Sequence, residues 1–254
     1  MERVSGEGSP WLRSFRDHDR VDVVLVLFPH AGGSASFYRG WADLLPEGCE
    51  LWVVQYPGRE DRITEPLVPD MTELADAIAA ELAPRLGGPY AVFGHSMGSA
   101  VAYETVRRLQ EGPAGPPVHL FVSGRRVPSR QVRSRVHLLD DDGLVEIIEA
   151  MGATPAGILD DPEMRSLVLP VVRNDYRLIE TYRPVAVPAL DTPTTALAGA
   201  EDPTVTPDEV KEWARMTTRG CDIEVLPGGH FFPVHQRARV IETILRALAP
   251  HLDG

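Results

Sequence analysis

Lysine is nearly missing from this 254-residue chain: Lys211 is the only one, so arginine carries almost all of the positive charge. Acidic residues outnumber basic ones by 37 to 25, and the formal net charge of −12 sets the surface against nucleic acid and anionic membranes as partners. Cysteine is just as scarce. Cys49 and Cys221 offer neither the spacing of a metal site nor the density of a disulfide scaffold, and both are expected to be reduced structural residues. No long hydrophobic run occurs either. The longest, Val23 to Phe28, falls far short of the roughly 20 residues that span a bilayer. The stretch from Met1 to Arg20 is interrupted by Glu2, Arg3, Glu7, Arg13, Arg16, Asp17 and Asp19, which excludes the apolar core of a secretory leader and leads us to expect a cytoplasmic protein.

What remains is a chain that is 43% hydrophobic, enough for one large core, or a core plus a small subdomain, without metal or disulfide staples. A polar N-terminal arm, residues 1–20, leads into a strand, Val21 to Phe28, that stops at Pro29. A helical pattern from Ser36 to Leu45, a strand from Leu51 to Gln55 and a helix from Met71 to Leu82 follow. Tyr90 to Phe93 is a short strand running into Gly94, and a helix packed with small residues continues from Ser96 to Leu109. His119 to Ser123 is a further strand. Residues 127–183 then show only helical patterns, at Gly143 to Met151 and Pro162 to Tyr182, and read as an inserted helical lid. Alternation resumes with a strand at Thr194 to Ala198, a helix at Asp208 to Met216, a strand at Ile223 to Leu226 and a closing helix at Val234 to Leu248. This order predicts an α/β core, residues 21–126 and 184–254, with a mostly parallel sheet flanked by helices.

Within that order, Gly94-His95-Ser96-Met97-Gly98 has the spacing and the strand-to-helix context of a nucleophile elbow. A tight turn lifts the serine hydroxyl above the sheet edge, leaves no room for a side chain at either glycine, and aims the N–H groups of the new helix at a reacting carbonyl oxygen. A triad on such a sheet needs an acid and then a histidine, each in a loop at the same edge. His230, in Pro227-Gly228-Gly229-His230-Phe231-Phe232, follows the last strand and is the expected base. His235 is read as a surface or capping residue; His95, His30, His119 and His137 do not fit the chain order. Asp202, after the strand at Thr194 to Ala198, is the favoured acid over Glu201, which should face away, and Asp208, which looks like a helix N-cap. The backbone N–H groups of Met97 and of Ala31, in Phe28-Pro29-His30-Ala31-Gly32-Gly33, are the expected oxyanion hole.

The segments Phe28-Pro29-His30-Ala31-Gly32-Gly33, Gln55-Tyr56-Pro57-Gly58-Arg59-Glu60, Gly94-His95-Ser96-Met97-Gly98 and Gly228-Gly229-His230-Phe231-Phe232 together resemble the type II thioesterases of polyketide and non-ribosomal peptide assembly lines. The resemblance runs from about Val21 to the last helix. It implies the α/β-hydrolase fold and a stand-alone enzyme of antibiotic biosynthesis, which we expect to be a monomer. That enzyme would hydrolyse stalled acyl groups from the phosphopantetheine arm of acyl or peptidyl carrier proteins, without cofactor or metal. The resemblance also implies that the inserted helices cover an acyl pocket, for which Met151, Ile158, Leu159, Leu167, Leu169, Leu178 and Ile179 are candidate linings, unless they only pack the lid onto the body.

A small-molecule carboxylesterase or lipase on the same fold is the second reading, and a catalytically silent binding protein the third. The arginines at 125, 126, 130, 133 and 135 either meet the arm's phosphate or a carrier's acidic surface, or form a solvated hinge.

Overall fold

A computed structural model describes residues 8–131, 134–152, 157–184 and 188–252. The strands are β1 (Leu12–Arg13), β2 (Val21–Phe28), β3 (Gly48–Val54), β4 (Tyr90–His95), β5 (His119–Ser123), β6 (Thr194–Gly199) and β7 (Cys221–Leu226). The helices are α1 (Arg39–Ala42), α2 (Met71–Leu82), α3 (Met97–Gln110), α4 (Asp141–Met151), α5 (Pro162–Thr181), α6 (Pro207–Val210), α7 (Phe232–His235) and α8 (Arg237–Leu248).

The central strands are continuous apolar runs because both faces of the sheet are covered, and β3, β4 and β5 are buried along their whole length. One face packs against α2 and α3 through residues such as Leu74, Ile78 and Val101. The other packs against α1 and α8 through Trp41, Val240 and Ile244. The sheet order is β1-β3-β2-β4-β5-β6-β7, with every pair from β3 to β7 parallel. This is the mostly parallel sheet of an α/β-hydrolase. The chain leaves β2 for β3 on one side and returns to β4 on the other, which opens a crevice at the C-terminal ends of β2 and β4. Those ends are Phe28 and His95, so the loop from Pro29 to Gly33 and the residue Ser96 flank the same crevice.

Several boundaries differ from the sequence reading. The polar arm contains an edge strand: Leu12, only 2% exposed, pairs antiparallel with Val54 of β3. The pattern at Ser36 to Leu45 is a 3₁₀ turn, Ala35–Tyr38, followed by the single turn of α1. The closing helix begins earlier and is broken at Gln236, whose φ of −103° and ψ of 23° separate α7 from α8. Asp208 is not an N-cap: Thr206 caps α6 in a capping box with Glu209, and Asp208 sits in the first turn, paired with Lys211 at 2.7 Å.

The inserted stretch carries α4 and α5 and a small core of its own, in which Leu144, Ile148, Leu159 and Leu169 meet. The C-terminal half of α5 joins the body through Leu178 and Ile179. No helix among the described residues is long and apolar enough to cross a membrane.

Candidate active site

Ser96 stands at the turn from β4 to α3 with φ of 54° and ψ of −118°, a conformation that costs a non-glycine residue about 1–3 kcal/mol. The flanking glycines are required by close approach. A Cβ at Gly98 would lie 2.0 Å from the Phe28 carbonyl oxygen, and one at Gly94 would lie 2.5 Å from that of Gly98. The turn is tied to β5 twice. The Ser96 N–H donates to the Ser123 carbonyl at 2.8 Å, and the buried Ser99 hydroxyl lies 2.7 Å from the Gly94 carbonyl and accepts from the Ser123 N–H at 3.1 Å.

The strained turn carries the serine to its partners. Ser96 Oγ lies 2.8 Å from His230 Nε2, and His230 Nδ1 lies 2.8 Å from Asp202 Oδ2. His230 comes from the loop after β7 and Asp202 from the loop after β6; both are buried. Burial alone would raise the Asp202 pKa. Hydrogen bonds from His230 and Thr204 outweigh it and hold the carboxyl below its ordinary value, so the acid is ionised near neutrality. Asp202 Oδ1 accepts from the Thr204 N–H at 2.8 Å and from its hydroxyl at 2.7 Å. Glu201 is exposed and turns away from the imidazole, its carboxylate accepting from the Gly228 N–H. His235 is exposed.

Two further histidines stand close by without entering the series. His95 is buried, 3.0 Å from the Ser123 hydroxyl, and burial with the nearby His230 and His30 drives its pKa well below the ordinary value. His30 Nδ1 lies 3.0 Å from the Tyr38 hydroxyl. Burial first, then His230 and Arg59, lowers its pKa to about 3.

Among the described residues, the backbone N–H groups of Ala31 and Met97 donate to no protein acceptor. Both belong to segments bordering the crevice above Ser96.

Two cavities open on Ser96 and His230. One, of about 160 Å³, runs along the loop after β2 and is walled by Phe37, Val168, Val172 and Phe231. The other, of about 330 Å³, is lined by Arg125, Arg126, Arg130 and Gln131. Met151 and Tyr176 face both. Of the lining candidates named from the sequence, Met151 and Ile179 reach a cavity. Leu159, Leu169 and Leu178 are packed inside cores, and Ile158 and Leu167 are exposed. The arginines divide as well. Arg126 pairs with Glu209 at 2.7 Å and Arg130 with Glu212 at 3.1 Å, whereas Arg125 bonds Gln131 and has no carboxylate within 4.0 Å among the described residues. Arg135 is exposed, and Arg133 lies outside the described residues.

Residues 24–248 match the family model of the thioesterase domain. The chain belongs to the thioesterase family. It is 44% identical over 240 residues to the "Probable cadicidin biosynthesis thioesterase" of Streptomyces griseus, covering 94% of this chain and 66% of that protein's length. It is 42% identical to "Thioesterase PikA5" of Streptomyces venezuelae, over 87% of this chain and 79% of the relative. Among solved structures it is similar to the type II thioesterase BorB of the borrelidin biosynthetic cluster, at 38% identity and a TM-score of 0.89, covering 96% of this chain and 100% of BorB.

This thioesterase also holds polar residues around the site that the sequence reading passed over. Thr204 follows Asp202 by two positions in Asp202-Pro203-Thr204, a spacing typical of an Asx turn, so a signal for it existed. Asp175 had a weaker signal: an acid on the same helical stripe as Val171, Val172, Leu178 and Ile179 of α5, where it is buried at 3% exposure. Tyr176, beside it, read only as part of a helical stripe.

Proposed function

We propose that the protein hydrolyses acyl thioesters carried on the phosphopantetheine arm of acyl or peptidyl carrier proteins, removing stalled groups from polyketide and non-ribosomal peptide synthases. The observation that carries the chemistry is the unbroken series from Ser96 Oγ to His230 to Asp202, each contact 2.8 Å. Ser96 attacks the thioester carbonyl as His230 Nε2 takes its proton, and Asp202 holds the imidazole in one tautomer and stabilises its charge. The unengaged N–H groups of Met97 and Ala31 are the donors to the oxyanion. The thiolate leaves with a proton from His230, and a water activated by the same imidazole then cleaves the acyl-enzyme. The substrate class is supported by the family match and by likeness to proteins named for such biosynthetic clusters. Likeness to BorB, named as a type II thioesterase, supports an enzyme that acts in trans on carrier-bound acyl groups.

On this reading the smaller apolar cavity takes the acyl group and the arginine-lined cavity admits the arm, with residues 127–183 as the lid over both. The unneutralised Arg125 supports an anionic or amide-rich occupant there.

The test compares an acyl-loaded carrier protein with a simple carboxylic ester at matched acyl chains. We expect kcat/KM to favour the carrier-bound thioester strongly, and Ser96→Ala to abolish turnover with the fold intact. Preference for the ester would instead favour a small-molecule esterase. Unchanged hydrolysis by Ser96→Ala would overturn the nucleophile.

A further inference from the structure

Helix α5 does more than roof the crevice. Asp175 Oδ2 accepts a hydrogen bond from the Gly32 backbone N–H at 2.8 Å and another from Arg59 Nη1 at 2.8 Å. Its Oδ1 accepts from Arg59 Nη2 at 2.9 Å, and Arg59 Nη1 also donates to the Gly33 carbonyl at 2.9 Å. Both side chains are buried, at 3% and 6% exposure. One turn earlier on α5, Val172 presses on the same spot: a Cβ at Gly32 would lie 2.8 Å from Val172 Cγ2, and the glycine's φ of +74° also disfavours any side chain. Three separate stretches of chain, the loop after β2, the loop after β3 and α5, thus converge on the peptide groups that directly follow Ala31.

Stability does not explain this pair. Two buried charges lose about as much hydration as they regain in mutual attraction, and an apolar pair of similar volume commonly replaces such an ion pair without loss. What an apolar pair lacks is a fixed acceptor for the Gly32 N–H and a fixed donor to the Gly33 carbonyl. Those bonds set the planes of the peptides beside Ala31, and a donor must point to where the oxyanion forms to within a fraction of an ångström.

We infer that Asp175 and Arg59 are positioning residues for the oxyanion hole, which orient the Ala31 N–H by bracing the Gly32 and Gly33 peptide groups against α5. The inference deepens the hydrolase reading and rests on it. Neither residue lines either of the two cavities that open on Ser96. A corollary is that α5 is a fixed post at this point, so opening of the crevice without loss of the oxyanion donor comes from other segments that line it, α4 among them.

The experiment uses the double variant Arg59→Met/Asp175→Leu, which removes the acceptor without stranding a buried charge. Thermal unfolding, kcat and KM on an acyl thioester, the inhibition constant of a matched trifluoromethyl ketone, and amide exchange of Gly32 by NMR are measured against wild type. We expect a folded protein with kcat lowered about tenfold to a hundredfold, KM within about twofold, the inhibitor weakened by the same factor as kcat, and faster Gly32 exchange. A folded double variant with wild-type kcat and inhibitor affinity overturns the inference, as does a loss confined to KM. Should the double variant not fold, the near-isosteric Asp175→Asn is read for the same split and judged by the same outcomes. The rate of Ser96 labelling by a fluorophosphonate needs the oxyanion hole but no thioester. If wild type labels but hydrolyses no thioester, the substrate reading fails alone; if labelling is equally fast in the double variant, the positioning role fails.

Discussion

The Thr204 hydroxyl lies 2.9 Å from Nδ1 of His230, on the side of the imidazole that faces away from Ser96. It simultaneously donates to Asp202 Oδ1, so it closes a ring of three groups around the Nδ1 proton. Removing it in Thr204→Val deletes one charge-assisted hydrogen bond to the acid, worth about 1.5–3 kcal/mol. We expect kcat/KM to fall about tenfold with KM little changed, measured by steady-state hydrolysis. A drop confined to KM would show that Thr204 contacts substrate instead.

Strain at the elbow separates two inactive variants. Glycine adopts the φ of 54° at position 96 without strain, whereas alanine bears the same strain as the native serine. Ser96→Gly is therefore expected to be more stable than Ser96→Ala by about 1 kcal/mol, a difference of about 2–4 °C in Tm for a chain of this size. Equal midpoints would mean that the turn stores no strain. By contrast, Gly98→Ala drives a methyl group into the Phe28 carbonyl and should give the least stable of the three.

Acid should weaken the fold before the carboxylates protonate. His30 has its pKa lowered to about 3 and His119 to about 4, in both cases mainly by burial. Between those values and the ordinary 6.5, the unfolded chain binds protons that the folded chain refuses, so stability falls as pH falls across that window. Each such histidine adds a slope of up to about 1.4 kcal/mol per pH unit. Asp202 acts lower: its depressed pKa contributes stability above about 4, lost as pH drops further. Urea midpoints at pH 7.5, 6.0 and 5.0 test this, with a steady decline expected; a flat profile would contradict the burial of the neutral imidazoles.

Charge at the second cavity should matter only where it is unpaired. With a carrier-bound thioester, Arg125→Gln is expected to lower kcat/KM about tenfold, while a short N-acetylcysteamine thioester loses little. Arg130→Ala should change neither by more than about twofold, since its exposed pair with Glu212 is screened. Equal losses on both substrates would move Arg125 from the arm to the acyl group.

The sheet and the series at its edge were legible because both follow from order along the chain. Apolar runs such as Val21 to Phe28 are required by a doubly covered sheet, and a loop after each strand fixes where Ser96, Asp202 and His230 can stand. The two-residue strand at Leu12 was hidden because it borrows its partner from β3, 40 to 42 positions away in sequence, and has no pattern of its own. The roles of Leu159 and Leu169 were hidden for a related reason. A helical stripe shows that Leu169 is buried, not whether it faces a cavity or another helix, and Leu159 sits in a short turn, Ile158–Asp160, between α4 and α5, so both were decided by how those helices meet. Asp175 and Arg59 are 116 positions apart, and only the fold brings them to Gly32.

Of the residues that line both cavities, Ser96 and His230 stand on the sheet's loops, while Met151 and Tyr176 stand on the inserted helices. On the proposed mechanism, reaction and selectivity are therefore written in different parts of the gene. Drift within the insertion can redraw the partition between the chambers, one flexible thioether at a time, while the body keeps its chemistry. On the proposed mechanism, substitutions at Met151 or Tyr176 would then alter which acyl group is accepted while leaving the Ser96, His230 and Asp202 contacts in place.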